Sequence, residues 1–299
     1  MTKKKKKGFT LIELLIVIAI VGVLATVVIL NLSASAREKA RIARLQNFAD
    51  SVRGQLSGSP IMWMKMDEGA GNTTVDTWSG INGTLGNALG VGLPIWDQGV
   101  DGQALRFDGT CRGVNIPGAG GFAWTNKAVT MEAWINPSVF SGIVFGSYWS
   151  YYIYITSRPG GEGAVQFSYR DSSLRTSITD STWGGTGGEG DGFRFTSSDL
   201  NIWHHIAASY SVDTNRVMIF VDGEAHYDGS GWGSTNINPP GAGSPNALRI
   251  GALNRFNNCN GGYFNGIVDE VRLYGEALTA QEIRRHYVQE APKFGIALK

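Results

Sequence analysis

The sequence predicts a chain of two parts, a long N-terminal helix followed by an antiparallel all-β body with a short C-terminal helix. Three observations carry this. Leu14 to Leu30 contains no charged residue, a run of about 17 residues that is at the short end of what crosses hydrocarbon as helix. Beyond Pro60 the pattern changes to short alternating apolar and polar runs, cut by turn residues roughly every ten positions. Of the 299 residues, 41 are glycine and only 17% are charged, while 11% are aromatic, a composition suited to many strands joined by tight turns.

The first element starts behind five consecutive lysines, Lys3 to Lys7, with Gly8-Phe9-Thr10-Leu11-Ile12-Glu13 leading into the apolar run. Lysines ahead of such a helix keep its N-terminus cytoplasmic and send the remainder outward. Glu13 is embedded near the start of the run, where a carboxylate costs a few kcal/mol and calls for a partner. A secretory signal would instead place a small-residue cleavage site after the run, where Ala34-Ser35-Ala36 stands. A plain membrane anchor would need no buried glutamate. Neither alternative uses Gly8-Phe9 and Glu13 together.

Past Leu32 the composition turns polar, but Ile42, Leu45, Ala49, Val52 and Leu56 recur at helical spacing. The expectation is one helix over 9–56, with about 9–32 in the membrane. Its length of roughly 70 Å is more than twice the hydrocarbon thickness. Gly58, Ser59 and Pro60 end it in a linker over 57–61.

The strands expected next are 61–66, 103–109, 129–135, 144–148, 151–155, 165–169, 203–210, 217–221, 247–253 and 266–274. Asp213-Thr214-Asn215 marks a hairpin between two of them. Thr279-Ala280-Gln281-Glu282 is a capping box that opens a short helix with Ile283 and Tyr287 on one face. The helix stops by Pro292, leaving 292–299 as a tail. About a dozen antiparallel strands suit either a two-sheet sandwich or a barrel, and alternation alone does not choose.

The lysines, the Gly8 to Glu13 hexapeptide and the apolar run together resemble the N-terminal segment of type IV prepilins and pseudopilins. The resemblance implies removal of residues 1–8 by a membrane-embedded prepilin peptidase, cutting between Gly8 and Phe9, and then N-methylation of Phe9. It also implies that Glu13 meets the positive N-terminus of a neighbouring subunit during assembly. The protein would be a single-pass protein of the inner or cytoplasmic membrane first, then part of a surface or extracellular filament.

The body carries Met66-Asp67-Glu68-Gly69, Asn82-Gly83-Thr84-Leu85, Trp96 and Gln103-Ala104-Leu105-Arg106-Phe107-Asp108-Gly109. These are followed in order by Thr130-Met131-Glu132-Ala133-Trp134-Ile135, Trp203-His204-His205-Ile206, Phe220-Val221-Asp222-Gly223 and Ile267-Val268-Asp269-Glu270-Val271-Arg272-Leu273-Tyr274. Together they resemble the laminin-G-like, concanavalin A-like jelly-roll domains of bacterial surface proteins. The fold this implies for 62–291 is a two-sheet antiparallel sandwich. Related jelly rolls often hold Ca²⁺ at the rim through oxygen ligands, so Asp67, Asp108 and Asp269 become candidate calcium ligands. A glycan site would add aromatic platforms from Trp149, Tyr151, Trp183 and Trp232. Trp183 and Trp232, set in Gly/Ser/Thr runs, are the ones expected to be exposed, while Trp134 and Trp203 are expected to fill the core.

Glycosidases of this superfamily carry a Glu-x-Asp-x-x-Glu pattern, whose carboxylates act as nucleophile and acid at about 5 Å. The nearest match, Glu189-Gly190-Asp191-Gly192-Phe193-Arg194, lacks the third carboxylate and sits in a glycine-rich run. His204 and His205 are adjacent in a strand, one ring expected inward and the other outward. No nucleophile elbow, phosphate loop or zinc-binding helix motif occurs, so the expectation is a protein that is not an enzyme.

Nothing in the charge suggests a nucleic-acid partner, and none is expected. Removing the leader takes five of the 26 Lys and Arg and none of the 25 Asp and Glu, leaving a net charge of −4, and no basic stripe interleaves with the aromatics. Cys111 and Cys259 fall on the exported side, where disulfides persist. A bond between them closes a loop of about 150 residues, worth ~3–5 kcal/mol in the chain-entropy model. Two free buried thiols are the alternative.

The resulting expectation is a type IV pilin-like subunit, minor or low-copy because its body is large, displaying the jelly roll for adhesion or for glycan or protein binding. A pseudopilin of a secretion system and a membrane-anchored carbohydrate-binding protein are the alternatives. A secreted glycosidase is a weaker one.

Overall fold

The computed structural model describes Leu15, Ile16, Ile18 and Ile20 of the N-terminal unit, all helical. In the body it describes residues 60–86, 92–116, 122, 126–147, 150–157, 160–170, 176–180, 194–230, 236–237, 247–252 and 262–298. The chain divides into two compact units, Met1–Ser57 and Gly58–Lys299. Gly8, Phe9, Glu13 and nearly all of the expected long helix lie outside the described residues, as do Trp149, Trp183, Trp232 and Cys259. Among the described residues no helix is long and apolar enough to cross a membrane.

The body is an antiparallel sandwich with sixteen strands among the described residues. The strands of its first sheet are β1 (Met62–Met64), β4 (Ile95–Gln98), β5 (Gln103–Asp108), β7 (Ala128–Pro137), β12 (His204–Ser211), β13 (Arg216–Val221), β14 (Glu224–Ser230) and β16 (Asn265–Tyr274). The second sheet has β2 (Thr73–Thr74), β3 (Gly83–Leu85), β6 (Val114–Ile116), β8 (Gly142–Ser147), β9 (Tyr151–Ser157), β10 (Gly163–Arg170), β11 (Thr176–Asp180) and β15 (Leu248–Ile250). Their orders are β14-β13-β12-β7-β16-β5-β4, with β1 also paired to β16, and β11-β10-β9-β8-β15-β6-β3-β2. The jelly-roll expectation is therefore met in the body.

The strands that alternation does not reveal are β2, β3, β4, β6, β11 and β14. Most are two to five residues long, too short for a period to register, and β14 is largely polar on a sheet edge. The Asp213–Asn215 hairpin joins β12 to β13 as expected, with Asn215 at φ +50°. Asp222 and Gly223, both at positive φ, make the next tight turn, the backbone that a two-residue hairpin needs to follow strand twist.

Between the sheets lies one core. Phe145, Ile153, Val165, Phe167 and Tyr169 of the second sheet meet Met131, Ile206, Ala208, Tyr210 and Val268 of the first. Tyr169 and Tyr210 stack across the gap with ring centroids 4.0 Å apart. Every other residue of these strands points the opposite way, so each sheet has an outward face whose fate must be settled separately.

On the first sheet a helix settles it. Helix α1 (Ala280–Glu290) begins at the expected capping box, where Thr279 Oγ1 accepts from Glu282 N and Glu282 Oε2 accepts from Thr279 N. Ile283 packs with Ala207, Met218, Phe220 and Tyr274, all on the outward face. Tyr287 and Ala291 cover Trp134, and Phe294 sets its ring edge-on to Trp134 at 5.3 Å. Residues past Pro292, read as a tail, thus return to the sheet.

Two expectations change here. Trp134 is fully buried, but in this outer layer rather than between the sheets, and Trp203 beside it is only half-buried. His204 and His205 do face opposite ways, yet both are buried. His204 meets Phe195 and Asp222, whereas His205 lies between Trp134 and Tyr287 under the helix.

Candidate functional site

The densest cluster of titratable groups lies beneath α1. Arg272 is at its centre, 5% exposed. Its guanidinium donates to Glu290 Oε1 and Glu270 Oε2, each at 2.6 Å, and lies 4.0 Å from Glu132 Oε2. Its planar face sits over the Trp63 ring at 4.5 Å. Trp63 Nε1 donates to Glu270, Trp134 Nε1 to Glu290 and Tyr274 Oη to Glu132, while His286 Nδ1 is 3.1 Å from the Glu132 carboxylate.

Perturbed groups of this kind mark active sites in many proteins, but here each perturbation has an internal cause. Burial opposes ionisation of Glu132, yet the charges of His286, His205 and Arg272 outweigh it and hold the group at about 2. Burial would lower Arg272, and the carboxylates of Glu290, Glu270 and Glu132 hold it above the ordinary arginine value instead. His286 is likewise raised by Glu132 against the effect of burial. Burial lowers His205, against the opposing pull of the Glu132 and Glu290 carboxylates. Arg272, His286 and the three glutamates are paired with one another under the helix, so they fasten α1 to the sheet, while both ring nitrogens of His205 are buried without a partner among the described residues.

At one end of this face a cleft of about 410 Å³ is lined by Asp97, Arg106, Asn136, Trp203, Ile267 and Phe294. Asp97 and Arg106 form an ion pair with each other, and that hydrogen bond lowers the Asp97 carboxyl below its usual range. The charges of this cleft are therefore already matched.

The three candidate calcium ligands are employed elsewhere. Asp269 is buried and accepts from Val100 N and Glu270 N, and Asp67 accepts from Gln103 N. The two therefore brace opposite sides of the β4–β5 turn. Burial and the neighbouring Glu270 push Asp269 up to about 8. Asp108 accepts from the Thr110 amide and pairs with Arg112. These residues do not fit a calcium cage, which needs six or more oxygens converging on one point. Among the described residues no group of three or more His, Cys, Asp or Glu could hold a metal. Cys111 is disulfide-bonded.

The outward face of the second sheet has a different character. On β9, Tyr151, Ile153 and Ile155 enter the core, so Tyr152, Tyr154 and Thr156 face out, half-buried. The Tyr152 and Tyr154 rings are 5.5 Å apart at 45°. With Phe140, Ile143 and Gly262 they line a cleft of about 340 Å³. Tyr151, expected as a platform, is fully buried, because it takes the core-facing register of its strand.

Pairing extends this face into a row. Tyr152 pairs with Ser168 on β10 and with Gly146 on β8; Gly146 pairs with Arg249 on β15; Arg249 pairs with Asn115 on β6; and Asn115 pairs with Thr84 on β3. Directly paired residues share a face. Arg249 is 7% exposed, and burial alone lowers its guanidinium below the ordinary value. Asn115 Oδ1 and Ser168 Oγ are buried without a partner among the described residues. Gly146, at φ +145°, leaves a gap in the row that no side chain can fill, since a Cβ there would collide with Tyr152. None of β2, β3, β6, β8, β9, β10 and β15 contains an aspartate or glutamate.

Sequence reasoning misses Tyr152, Tyr154, Asn115 and Arg249. The available signal is a polar residue in the middle register of strands that are otherwise apolar, as in Leu248-Arg249-Ile250 and Val114-Asn115-Ile116.

Comparison with known proteins bears on both parts of the chain. A family model described as the prokaryotic N-terminal methylation motif matches residues 3–29. One described as the concanavalin A-like lectin/glucanases superfamily matches residues 108–284. No curated protein matches the sequence. Among solved structures the body is similar to domain 4 of AbnA, a GH43 extracellular arabinanase from Geobacillus stearothermophilus in complex with arabinotriose. That match has a TM-score of 0.53 and 18% identity, covering 76% of this chain and 97% of the other. It is also similar to the botulinum neurotoxin type G receptor binding domain, with a TM-score of 0.53 and 11% identity over 78% of this chain and 52% of that one. The binding domain of Paraclostridial Mosquitocidal Protein 1 gives 0.52 and 12%, over 76% of this chain and 51% of the other. This chain thus spans about half of each toxin chain, and at such identities the likeness concerns the fold. The superfamily model alone covers more than half of the sequence, and the chain belongs to the concanavalin A-like lectin/glucanases superfamily, with a type IV prepilin-type methylation motif ahead of the domain.

Proposed function

We propose that this chain is a low-copy, type IV pilin-like filament subunit that displays a saccharide-binding jelly roll at the cell surface. One observation carries the reading: the methylation motif at 3–29 precedes a lectin-like domain in the same chain. Prepilin peptidase cuts between Gly8 and Phe9, Phe9 is methylated, and Glu13 pairs with the new N-terminus of a neighbouring subunit. A buried carboxylate in an apolar helix needs such a cation. Before assembly the subunit is a single-pass protein of the cytoplasmic membrane.

Saccharide binding is placed on the second sheet. Tyr152 and Tyr154 offer flat apolar faces beside a cleft, the arrangement in which few polar groups orient a ligand held mainly by apolar contact. Among the described strands of that sheet the only carboxylate is Asp180 at the end of β11, which favours binding over hydrolysis, because glycoside cleavage needs two carboxylates flanking the bond. The arabinotriose bound by the AbnA domain makes a neutral trisaccharide a reasonable first ligand to try.

Mass spectrometry of the surface-sheared fraction tests the filament half. The expected mature N-terminus is methylated Phe9, with other pilin subunits co-purifying, and an intact Met1 in that fraction would contradict it. A glycan array probed with the detergent-solubilised full chain tests the binding half.

A further inference from the structure

We propose that the second-sheet face selects saccharides bearing a carboxylate, with Arg249 as the residue that receives it. This rests on the saccharide-binding reading above and names the ligand class for the same face.

The argument begins with the cost of Arg249. A guanidinium taken out of water needs a counter-charge or a full set of acceptors. Arg249 is more than nine-tenths buried, and its side chain has no hydrogen bond or ion pair among the described residues. Its strand neighbours supply no acid, since β6 reads Val-Asn-Ile and β8 reads Gly-Ile-Val-Phe-Gly-Ser. The nearest acceptor by register, Asn115 Oδ1, is itself buried without a donor among the described residues.

The same chain shows what a satisfied buried arginine looks like. Arg272 has two carboxylates at 2.6 Å and a third at 4.0 Å. Arg249 has donors in the fork geometry that fits a planar carboxylate, and the ligand would bring the missing group.

The surroundings set the rest of the ligand. Gly146 removes the side chain that would separate Arg249 from Tyr152. The two are thereby two strands apart, about 10 Å between backbones. That separation spans one pyranose ring, whose apolar face can lie on Tyr152 while its carboxylate points at Arg249.

The test is calorimetric titration of the detergent-solubilised full chain with trigalacturonate and, separately, with neutral galactotriose. The acidic sugar is expected to bind about ten- to a hundredfold tighter, the range for a hydrogen bond to a charged group. Arg249→Gln should remove that preference, so that the two sugars bind with equal affinity. Asn115→Asp provides a second route, because it gives Arg249 an internal carboxylate without removing the charge, and should also abolish the preference. Equal affinities for the two sugars in the parent chain would overturn the inference and leave the saccharide-binding reading standing. A preference that survives Arg249→Gln or Asn115→Asp would do the same. Absence of binding to both sugars would overturn the reading and the inference together.

Discussion

Arg272 and Arg249 lie on the outward faces of opposite sheets, both nearly out of contact with water, and their surroundings differ in every respect. Arg272 is held by Glu270 and Glu290, stacked on Trp63 and roofed by α1. Arg249 has a glycine on one side and an amide on the other. The first arrangement stabilises the fold; the second costs stability within the chain and leaves the charge available to a ligand. One body thus contains a face closed by a helix, where the buried arginine is paired, and a face where the buried arginine has no partner among the described residues.

The largest expected effect separates the two arginines. Arg272→Met leaves three buried carboxylates with reduced compensation and should cost about 3–5 kcal/mol in urea unfolding. The same substitution at Arg249 removes a charge that has no partner among the described residues, so stability should stay level or rise. A comparable loss at both sites would break the comparison.

Aromatic residues give the next contrast. Trp134→Ala opens a cavity under α1 and should cost about 3–5 kcal/mol, with sugar affinity unchanged in the protein that remains folded. Tyr152→Ala, at a half-buried position, should cost far less stability. It should weaken saccharide binding about tenfold, as loss of a stacking platform does.

The pH dependence follows from the closed face. Glu132 is depressed from 4.5 to about 2, so its contribution is present above pH 4.5 and lost as pH falls through about 2. His286 is raised from 6.5, so its contribution is present below 6.5 and lost as pH rises through the raised value. Asp269, raised from 3.8 to about 8, adds a loss in the same alkaline direction. Melting temperature should therefore decline on both sides of a mildly acidic optimum, and His286→Gln should flatten its alkaline limb. Galactotriose binding, which involves no carboxylate on β6, β8, β9, β10 or β15, should be level over pH 5 to 8. The smallest effect is expected at the capping box, where Thr279→Ala should cost about 1 kcal/mol.

How much of this was legible in the sequence depended on range. The capping box at Thr279 and the Asp213–Asn215 hairpin are local signals, and both appear where the sequence places them. Burial of Trp134 was also legible, but its layer was not. Alternation tells which residues share a face, and only the later docking of α1 decides which face becomes a second core. The structural work of the acidic candidates was hidden for a related reason. Asp67 and Asp269 resemble metal ligands in sequence but accept backbone amides around a turn that neither adjoins in the chain. Arg249 was the least legible. Its isolation depends on the register of β6, β15 and β8, whose partners Asn115 and Gly146 are each more than 100 positions away. The proposed processing site at Gly8-Phe9 and the proposed assembly role of Glu13 rest on local order, and the methylation-motif match spans these positions.

The most direct test of the two-face account is amide hydrogen exchange of the full chain with and without trigalacturonate. Protection should appear in peptides covering 114–116, 142–157 and 247–252, with no change in α1 or β16. Protection confined to α1 and β16, or none at a saturating sugar concentration, would contradict the assignment of binding to the second sheet.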